Sequence, residues 1–469
     1  MKYSKSDVNC KTHKLPELRF EQQTLTSFAG LVVVEAFMAA TGFKGTIAGC
    51  FRHLAGSKTY THTVVFLMLV VHFLLGFRNL RDATYYRDDP LVKRLLGLKK
   101  LPDPSTISRR LKDADPRSVE KLRTNLRAGV VEHLRKLGLR RVTMDIDGSV
   151  QSTRGHAEGT AVGFNKIKKG ARSYYPQFAT IAEIAQVFDV LHRPGNVHDS
   201  RGAREFILAR VGDLRRALPE ATIEIRMDAA FFSDELVSAL DELENVEFTI
   251  SVPFQRFPKL KGFIEERRRW GRLDDEVSFF EKSWKPNCWD KRFRFLFVRK
   301  RVQRQRKGPV QLDLFEPYEH DYEFKVIVTN KQDENAGDVL WFHDGRGGQE
   351  NLFSELKSEL AMGHVPVRSL VGNQVYLLAQ LHAHNLARSI QMAWRERERP
   401  TTPKRAALWI FERVQSFRSK YLCRAGRFTW PQNQLVLTIS GNKTVECEMR
   451  ACIEAMERIE NTAHHRRAA

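Results

Sequence analysis

Two six-residue segments, 142–147 and 223–228, constrain this chain more than any other feature. Each alternates apolar and polar residues, and each ends on an aspartate. Successive side chains of a strand point to opposite faces, so Val142, Met144 and Ile146 form one row and Thr143, Asp145 and Asp147 the other. The second segment repeats the design, with Ile223, Ile225 and Met227 in one row and Glu224, Arg226 and Asp228 in the other. Gly148 directly follows Asp147, so the backbone can turn there and leave the carboxylate at the strand's carboxyl end, where open α/β sheets build their ligand sites. Further strand-like stretches at 177–184 and 186–192, a helical stretch at 201–218 and then the second segment predict an α/β core around a mixed sheet.

The rest of the chain reads differently. Residues 20–135 carry helical patterns and no sustained alternation. Their longest apolar run, 64–77, contains His72 and falls short of the roughly 20 residues that span a bilayer, so it predicts a buried core helix. Residues 89–96 predict a short helix with Pro90 in its first turn and Gly97 just past its end. After Pro102 and Pro104, Ser105 is expected to cap a second helix over 106–113. That helix exposes Ser108, Arg109, Arg110 and Lys112, and reads equally as a groove-binding element or an ordinary basic surface helix. Residues 241–330 contain strand-like stretches at 246–252, 293–298 and 322–328 and read as a β-rich insertion. Helix resumes after Trp341 and is expected to about Arg418. The expected parts are a helical N-terminal region (1–135), a first part of the core (136–240), the insertion (241–330), a second part of the core (331–400) and a C-terminal helical region with a tail (401–469).

At 469 residues the chain is too long for one compact core. Lys and Arg total 77 against 56 Asp and Glu, a formal charge of +21. Such a surplus attracts polyanions and points to a nucleic acid as partner. Cys10, Cys50, Cys288, Cys423, Cys447 and Cys452 are scattered without a CxxC pair, which argues against a zinc module or disulfide framework and fits a reducing cytoplasm. Lys2, Lys5, Lys11 and Lys14 precede no apolar stretch of signal-peptide type.

Two aspartates at strand ends form either half a metal site or two turn caps. A third carboxylate bears on the choice. On a helix over 346–360, a rotation of about 100° per residue places Arg346, Glu350 and Lys357 within roughly 40° of one another. Leu352, Phe353, Leu356 and Leu360 fall on a neighbouring arc and are expected to be buried, while Glu355 and Glu359 rotate away from Glu350. Asp147, Asp228 and Glu350 are thus the candidate catalytic and metal-binding residues, with Asp145 competing for the first position. Three hard oxygen ligands suit Mg²⁺ or Mn²⁺ rather than zinc. Two such ions can activate a water or a 3′-hydroxyl and stabilise the leaving oxygen at phosphorus. Arg346 and Lys357 can bind phosphate oxygens. His198 beside Asp199, and the pair His382 and His384, read as structural histidines.

In this order and spacing, the sequence resembles the DDE transposases of bacterial insertion sequences. His343-x2-Arg346-x3-Glu350-x6-Lys357 is similar to the Y-x2-R-x3-E-x6-K signature of the family's large IS-four-like division, with His in place of Tyr. Asp145-Ile-Asp-Gly-Ser149, Lys168-Lys-Gly-Ala-Arg-Ser-Tyr-Tyr-Pro176, Arg193-Pro-Gly-Asn196 and Arg226-Met-Asp-Ala-Ala-Phe-Phe-Ser233 resemble its IS-thirteen-eighty group. The resemblance implies a ribonuclease-H-like core in which Asp147, Asp228 and Glu350 bind two Mg²⁺ ions, with an insertion between the second Asp and the Glu. It implies cut-and-paste transposition: binding of terminal inverted repeats, pairing of two ends in a homodimer, and joining of freed 3′-hydroxyls to target DNA. A nuclease that cuts without joining and a silent DNA-binding derivative remain alternatives.

Candidate DNA contacts are Arg109, Arg110, Lys168, Lys169, and the insertion's Arg267, Arg268, Arg269 and Trp270. Positive charge interleaved with aromatics can hold a DNA backbone and stack an unpaired base. Relatives of this architecture cut the second strand through a hairpin intermediate with a base flipped onto an aromatic. The resemblance, together with Trp270, Trp284 and Trp289, implies that route as an expectation, against the alternative that each Trp simply packs a β-core.

Overall fold

The computed structural model describes residues 21, 23–54, 59–153, 155–163, 165, 168–302 and 322–468, the side chains of 462–468 excepted. The expectation drawn from the N-terminal lysines lies outside the described residues.

Alternation in the sequence becomes one large mixed sheet of nine strands: β1 (Arg141–Gly148), β2 (Gln177–Ile181), β3 (Gln186–Leu191), β4 (Thr222–Met227), β5 (Val246–Ser251), β6 (Gly271–Arg272), β7 (Val277–Trp284), β8 (Phe293–Arg301) and β9 (Tyr322–Thr329). Their spatial order is β6-β7-β8-β9-β5-β4-β1-β2-β3. The central strands β1, β4 and β5 run parallel, with Val142 opposite Ile223 and Ile223 opposite Val246. The meander β1-β2-β3 is antiparallel. The expected insertion is not a separate layer: β9 pairs antiparallel with β5, so β6–β9 extend the same sheet. Strand β7 escaped the sequence reading because Glu281, Lys282 and Ser283 are exposed in succession, which breaks the two-residue period.

The two faces of the sheet are packed by different physics. Val142, Met144, Ile146, Ile223, Ile225 and Met227 are fully buried in a core that also takes in Trp284, Trp289 and Phe295. The opposite row, Thr143, Asp145, Glu224 and Arg226, is buried as well. Segment 395–413, expected to be helical, is extended and irregular, and part of it covers this polar row. The Arg226 guanidinium donates to the Lys404 carbonyl at 2.9 Å and Arg405 Nε to Glu224 at 2.7 Å. The same Arg226 guanidinium also donates to the Phe342 carbonyl at 3.0 Å, so both the irregular segment and the end of a helix supply acceptors to this buried charge.

Helices α1 (His62–Leu74), α2 (Pro104–Lys112), α3 (Pro116–Leu137), α4 (Gly347–Glu359) and α5 (Leu370–Trp394) matter most for the site. The apolar run forms α1, buried along nearly its whole length and capped by Thr61, whose hydroxyl accepts from the Val64 N–H at 3.2 Å. The expected short helix is Pro90–Leu96: Asp89 caps it and Gly97 ends it at φ 66°. The next helix starts earlier than expected, since α2 has Pro104 in its first turn and Asp103, not Ser105, at the cap position. No single described helix is long and apolar enough to cross a membrane.

The cores do not follow the expected boundaries. One hydrophobic cluster runs from Leu31 through α1 and α2 to Leu356, α5 and Met456. The C-terminal region, expected to be helical, also holds strands Gly426–Thr429 and Val436–Ile439, and Leu25–Thr26 pairs with the first of them. The N-terminal helices are therefore built into the molecule rather than appended to it.

Candidate active site

Asp147 lies near the end of β1 and Asp228 immediately after the parallel strand β4, so the sheet brings the two carboxylates to one edge. The Asp147 Oδ1 accepts from the Gly148 N–H at 2.7 Å, and the Asp228 Oδ1 from the Ala230 N–H at 2.9 Å. Burial first, and then the charge of Asp228, push the Asp147 carboxyl up to about 7, against the pull of Arg346 and the Gly148 N–H. Two carboxylates held this way repel each other, and a cation placed between them relieves the repulsion.

Helix α4 delivers the third carboxylate. Arg346 stands at its N-terminus and bridges the site: its Nη1 lies 3.1 Å from Asp147 Oδ2 and its Nη2 3.5 Å from Glu350 Oε1. Leu352, Phe353, Leu356 and Leu360 are buried as the helical rotation requires, which fixes the facing of Glu350. Lys357, seven residues on, feels the charge of Asp147; burial pulls its ammonium down and Asp147 opposes that. Asp147, Asp228, Glu350, Arg346 and Lys357 thus gather in one place.

Asp145 does not join them. Both its oxygens are taken by Arg226, at 2.5 and 2.8 Å, in a buried pair. Glu355 is tied to Arg388 and the Val414 N–H, and Glu359 to Arg413 and the Gln415 N–H. His343, at the signature's Tyr position, is buried and bonds Ser251 Oγ at 2.8 Å and Thr249 Oγ1 at 3.0 Å, so it braces α4's preceding helix against β5. His382 and His384 are buried structural residues, the first held at about 4 by burial.

Tyr175, Arg193 and Asp199 lie in or beside the motif stretches, but the sequence could not place them relative to the carboxylates. Tyr175 donates its hydroxyl to Asp199 Oδ2 at 2.9 Å, and Arg193 holds the other oxygen at 3.1 Å. A Cβ on Gly148 would meet the Tyr175 ring at 2.6 Å and Asp199 at 2.7 Å, so only glycine lets this unit sit against the end of β1. The stretches 168–176, which contains Tyr175, and 193–196, which precedes Asp199, were visible; their convergence required the fold.

A second acidic cluster, Glu224, Glu247 and Glu334, has oxygens close enough to hold an ion. It already has a cation: the buried Lys331 ammonium touches all three, with Glu224 at 2.6 Å and Glu334 at 2.9 Å. Burial pushes Glu224 up, but Arg405 and Lys331 outweigh it and hold the carboxyl near 2. Arg141 of β1 also pairs with Glu224 and Glu247, so this cluster ties β1, β4 and β5 together as a structural salt bridge network.

The expected DNA contacts are dispersed. Arg109 is exposed and Arg110 half-buried on α2, and Lys168 and Lys169 are exposed on a turn of a small three-stranded sheet. Arg267, Arg268 and Arg269 are exposed at the far end of the insertion. Trp270 has Phe280 edge-on at 4.7 Å and the Arg299 guanidinium over its ring at 4.7 Å. Trp284 and Trp289 are core residues, 7% and 5% exposed, so neither offers a free face to a base.

A family model described as transposase DDE domain group 1 matches residues 9–461. No curated protein matches the chain by sequence. Among solved structures, it is similar to a piggyBac transposase synaptic complex with hairpin DNA at 12% identity, covering 84% of this chain and 80% of that one with a TM-score of 0.39. It also matches a Mos1 transposase paired-end complex with the left transposon end at 12% identity, covering 42% of this chain and 60% of that one with a TM-score of 0.17. With TM-scores this low, neither superposition defines equivalent residues.

Proposed function

Because the chain belongs to the DDE transposase domain group 1 family, we propose that it is a cut-and-paste transposase whose catalytic carboxylates are Asp147, Asp228 and Glu350. The observation that carries the residue assignment is the coupling of Asp147 to Asp228 at one sheet edge, with Arg346 linking Asp147 to Glu350. The strand order β3-β2-β1-β4-β5, with β1, β4 and β5 parallel, supports a ribonuclease-H-like core, and the motif stretches support the IS-thirteen-eighty group.

The donor set fits divalent cations: three carboxylates, two of them mutually repelling, with no cysteine or histidine among them. Two Mg²⁺ ions, or Mn²⁺, held by Asp147, Asp228 and Glu350 would supply activation of the attacking oxygen and stabilisation of the leaving one. Arg346 sits between Asp147 and Glu350 and is placed to hold the ligands in register and to receive a non-bridging phosphate oxygen. Lys357, on the same helix face as Glu350, holds the next phosphate. The Tyr175–Asp199–Arg193 unit fixes the backbone at Gly148 and so the direction of Asp147. Asp145 serves β4 through Arg226 rather than the reacting phosphate.

In this reading the substrates are the terminal inverted repeats and then target DNA, two ends are paired by a homodimer, and the protein works in the cytoplasm beside the nucleoid. A hairpin route receives no support from Trp284 and Trp289, which are buried, and would have to rest on the half-buried Trp270 alone. Incubation with Mg²⁺ and DNA carrying the element's ends, followed by sequencing of products, tests the proposal. Joined end–target junctions are expected; cuts without junctions would favour a nuclease, and neither would leave a silent DNA-binding derivative.

A further inference from the structure

Beside Lys357 opens a cleft of about 760 Å³ that none of the catalytic carboxylates lines. Four separate parts of the chain wall it: Arg78 and Asn79 after α1; Ser108 and Lys112 on α2; Ser152, Thr153 and Lys168 from the small sheet; and the loop after α4 up to Arg368. Its Lys and Arg residues are Arg78, Lys112, Lys168, Lys357 and Arg368, and no described Asp or Glu lines it. Lys112, Lys168 and Arg368 are exposed. So many like charges around one hollow repel each other unless a polyanion lies between them.

The position of the cleft says which polyanion. Lys357 and Glu350 share a face of α4 and lie about 10 Å apart along its axis. A chain of phosphates leaving the catalytic edge therefore meets Lys357 and then the cleft. The volume is that of a site for a drug-sized ligand, enough for a short run of nucleotides and too small for a double helix.

We propose that this cleft seats a single DNA strand flanking the scissile phosphate, with Lys112, Lys168 and Arg368 as the cations that hold its phosphates. The assignment rests on the transposase reading of the neighbouring carboxylates. It also gives α2 a different role from a groove-reading helix: Ile107 and Leu111 anchor it in the core, and its Ser108–Lys112 side forms a wall of the cleft. The N-terminal helices then act in shaping the path of the cut strand.

The test is equilibrium binding of a short fluorescent single-stranded oligonucleotide, and of the matching duplex, across a salt series in the full-length protein. Wild type is compared with Asp147→Asn and with the combined Lys112→Gln, Lys168→Gln and Arg368→Gln variant, whose changes are all at exposed positions. Neutralising one phosphate-binding cation should flatten the single-strand salt dependence by about 0.7, so the combined variant should fall by about 2 in slope and bind roughly tenfold more weakly or worse at low salt. Duplex binding through other surfaces should change much less. An unchanged slope and affinity for the single strand would overturn the proposal, as would an equal loss for duplex and single strand. Cleavage measured in the same samples separates the two levels: if Asp147→Asn binds but does not cut while the combined variant binds the strand normally, the transposase reading stands and the cleft assignment falls.

Discussion

At the scale of residues, the two aspartates of β1 show why identity and spacing underdetermine a site. Asp145 and Asp147 share a strand row; the sequence favoured Asp147 as first ligand for its place beside Gly148-Ser149 and kept Asp145 as a competing or accessory carboxylate. What separates them is a partner from another strand: Arg226, opposite Asp145 on β4, takes both its oxygens, while Asp147 feels Asp228. Replacing Asp145 by Asn should therefore act on stability. It strands a fully buried guanidinium, at a cost of about 3–5 kcal/mol, read as a lowered midpoint in denaturant. Unchanged stability with lost cleavage would instead mark Asp145 as part of the chemistry. Glu183 supplies a pH signature. Burial raises its carboxyl from 4.5 to about 7, although the Thr143 N–H and Arg226 oppose that. The folded state thus holds this proton more tightly than the unfolded chain does. The resulting stability is complete below about 4.5 and is lost as pH rises through about 7. Glu183→Gln should flatten that decline by about 3 kcal/mol between roughly pH 4.5 and 8, measured by denaturant unfolding at several pH values; an unaltered slope would contradict it.

At the scale of elements, periodicity carried far. The alternating segments became β1 and β4, the apolar run became α1, and the short helix ended at Gly97. The rotation that placed Glu350 beside Arg346 also predicted the burial of Leu352, Phe353 and Leu356, but not that of Gln349, Glu355 and Glu359, which depends on partners outside α4. What was illegible depended on pairing rather than pattern. The sequence shows a polar row on the central strands but not that segment 395–413 would bury it with ion pairs and sideways carbonyls. Gly345 marks how tightly that layer packs, since a Cβ there would lie 2.0 Å from the Lys404 carbonyl oxygen. The tryptophans of the insertion make the same point. A Trp near arginines reads as a base-stacking platform or as core, and the choice is made by the strand behind it. Trp284 packs edge-on against Phe295 at 5.1 Å. Trp284→Ala should lower stability by about 3–5 kcal/mol. Any change in cleavage products should follow the loss of folded protein rather than alter hairpin yield; a fully stable variant with a selective hairpin defect would overturn this.

At the scale of the whole molecule, the proposed catalytic edge is assembled from parts far apart in sequence, and the cores cross the boundaries that composition suggested. Leu31, α1 and α2 share a core with α5 and Met456, and Leu25–Thr26 completes a small sheet with the C-terminal hairpin. A chain lacking residues 1–135 should therefore expose a large apolar surface and aggregate, rather than behave as an isolated catalytic domain. A soluble, monomeric truncated protein with a cooperative unfolding transition would contradict this. The net charge of +21 is a property of the same scale: it predicts tight, salt-sensitive DNA binding that survives loss of catalysis. That separation makes the central claim testable. The most direct measurement is cleavage and strand transfer on DNA carrying the element's ends, in Mg²⁺, for wild type beside Asp147→Asn, Asp228→Asn and Glu350→Gln. All three variants should bind the ends and neither cut nor join; any one of them cutting at the wild-type rate would remove that residue from the site and contradict the three-carboxylate account.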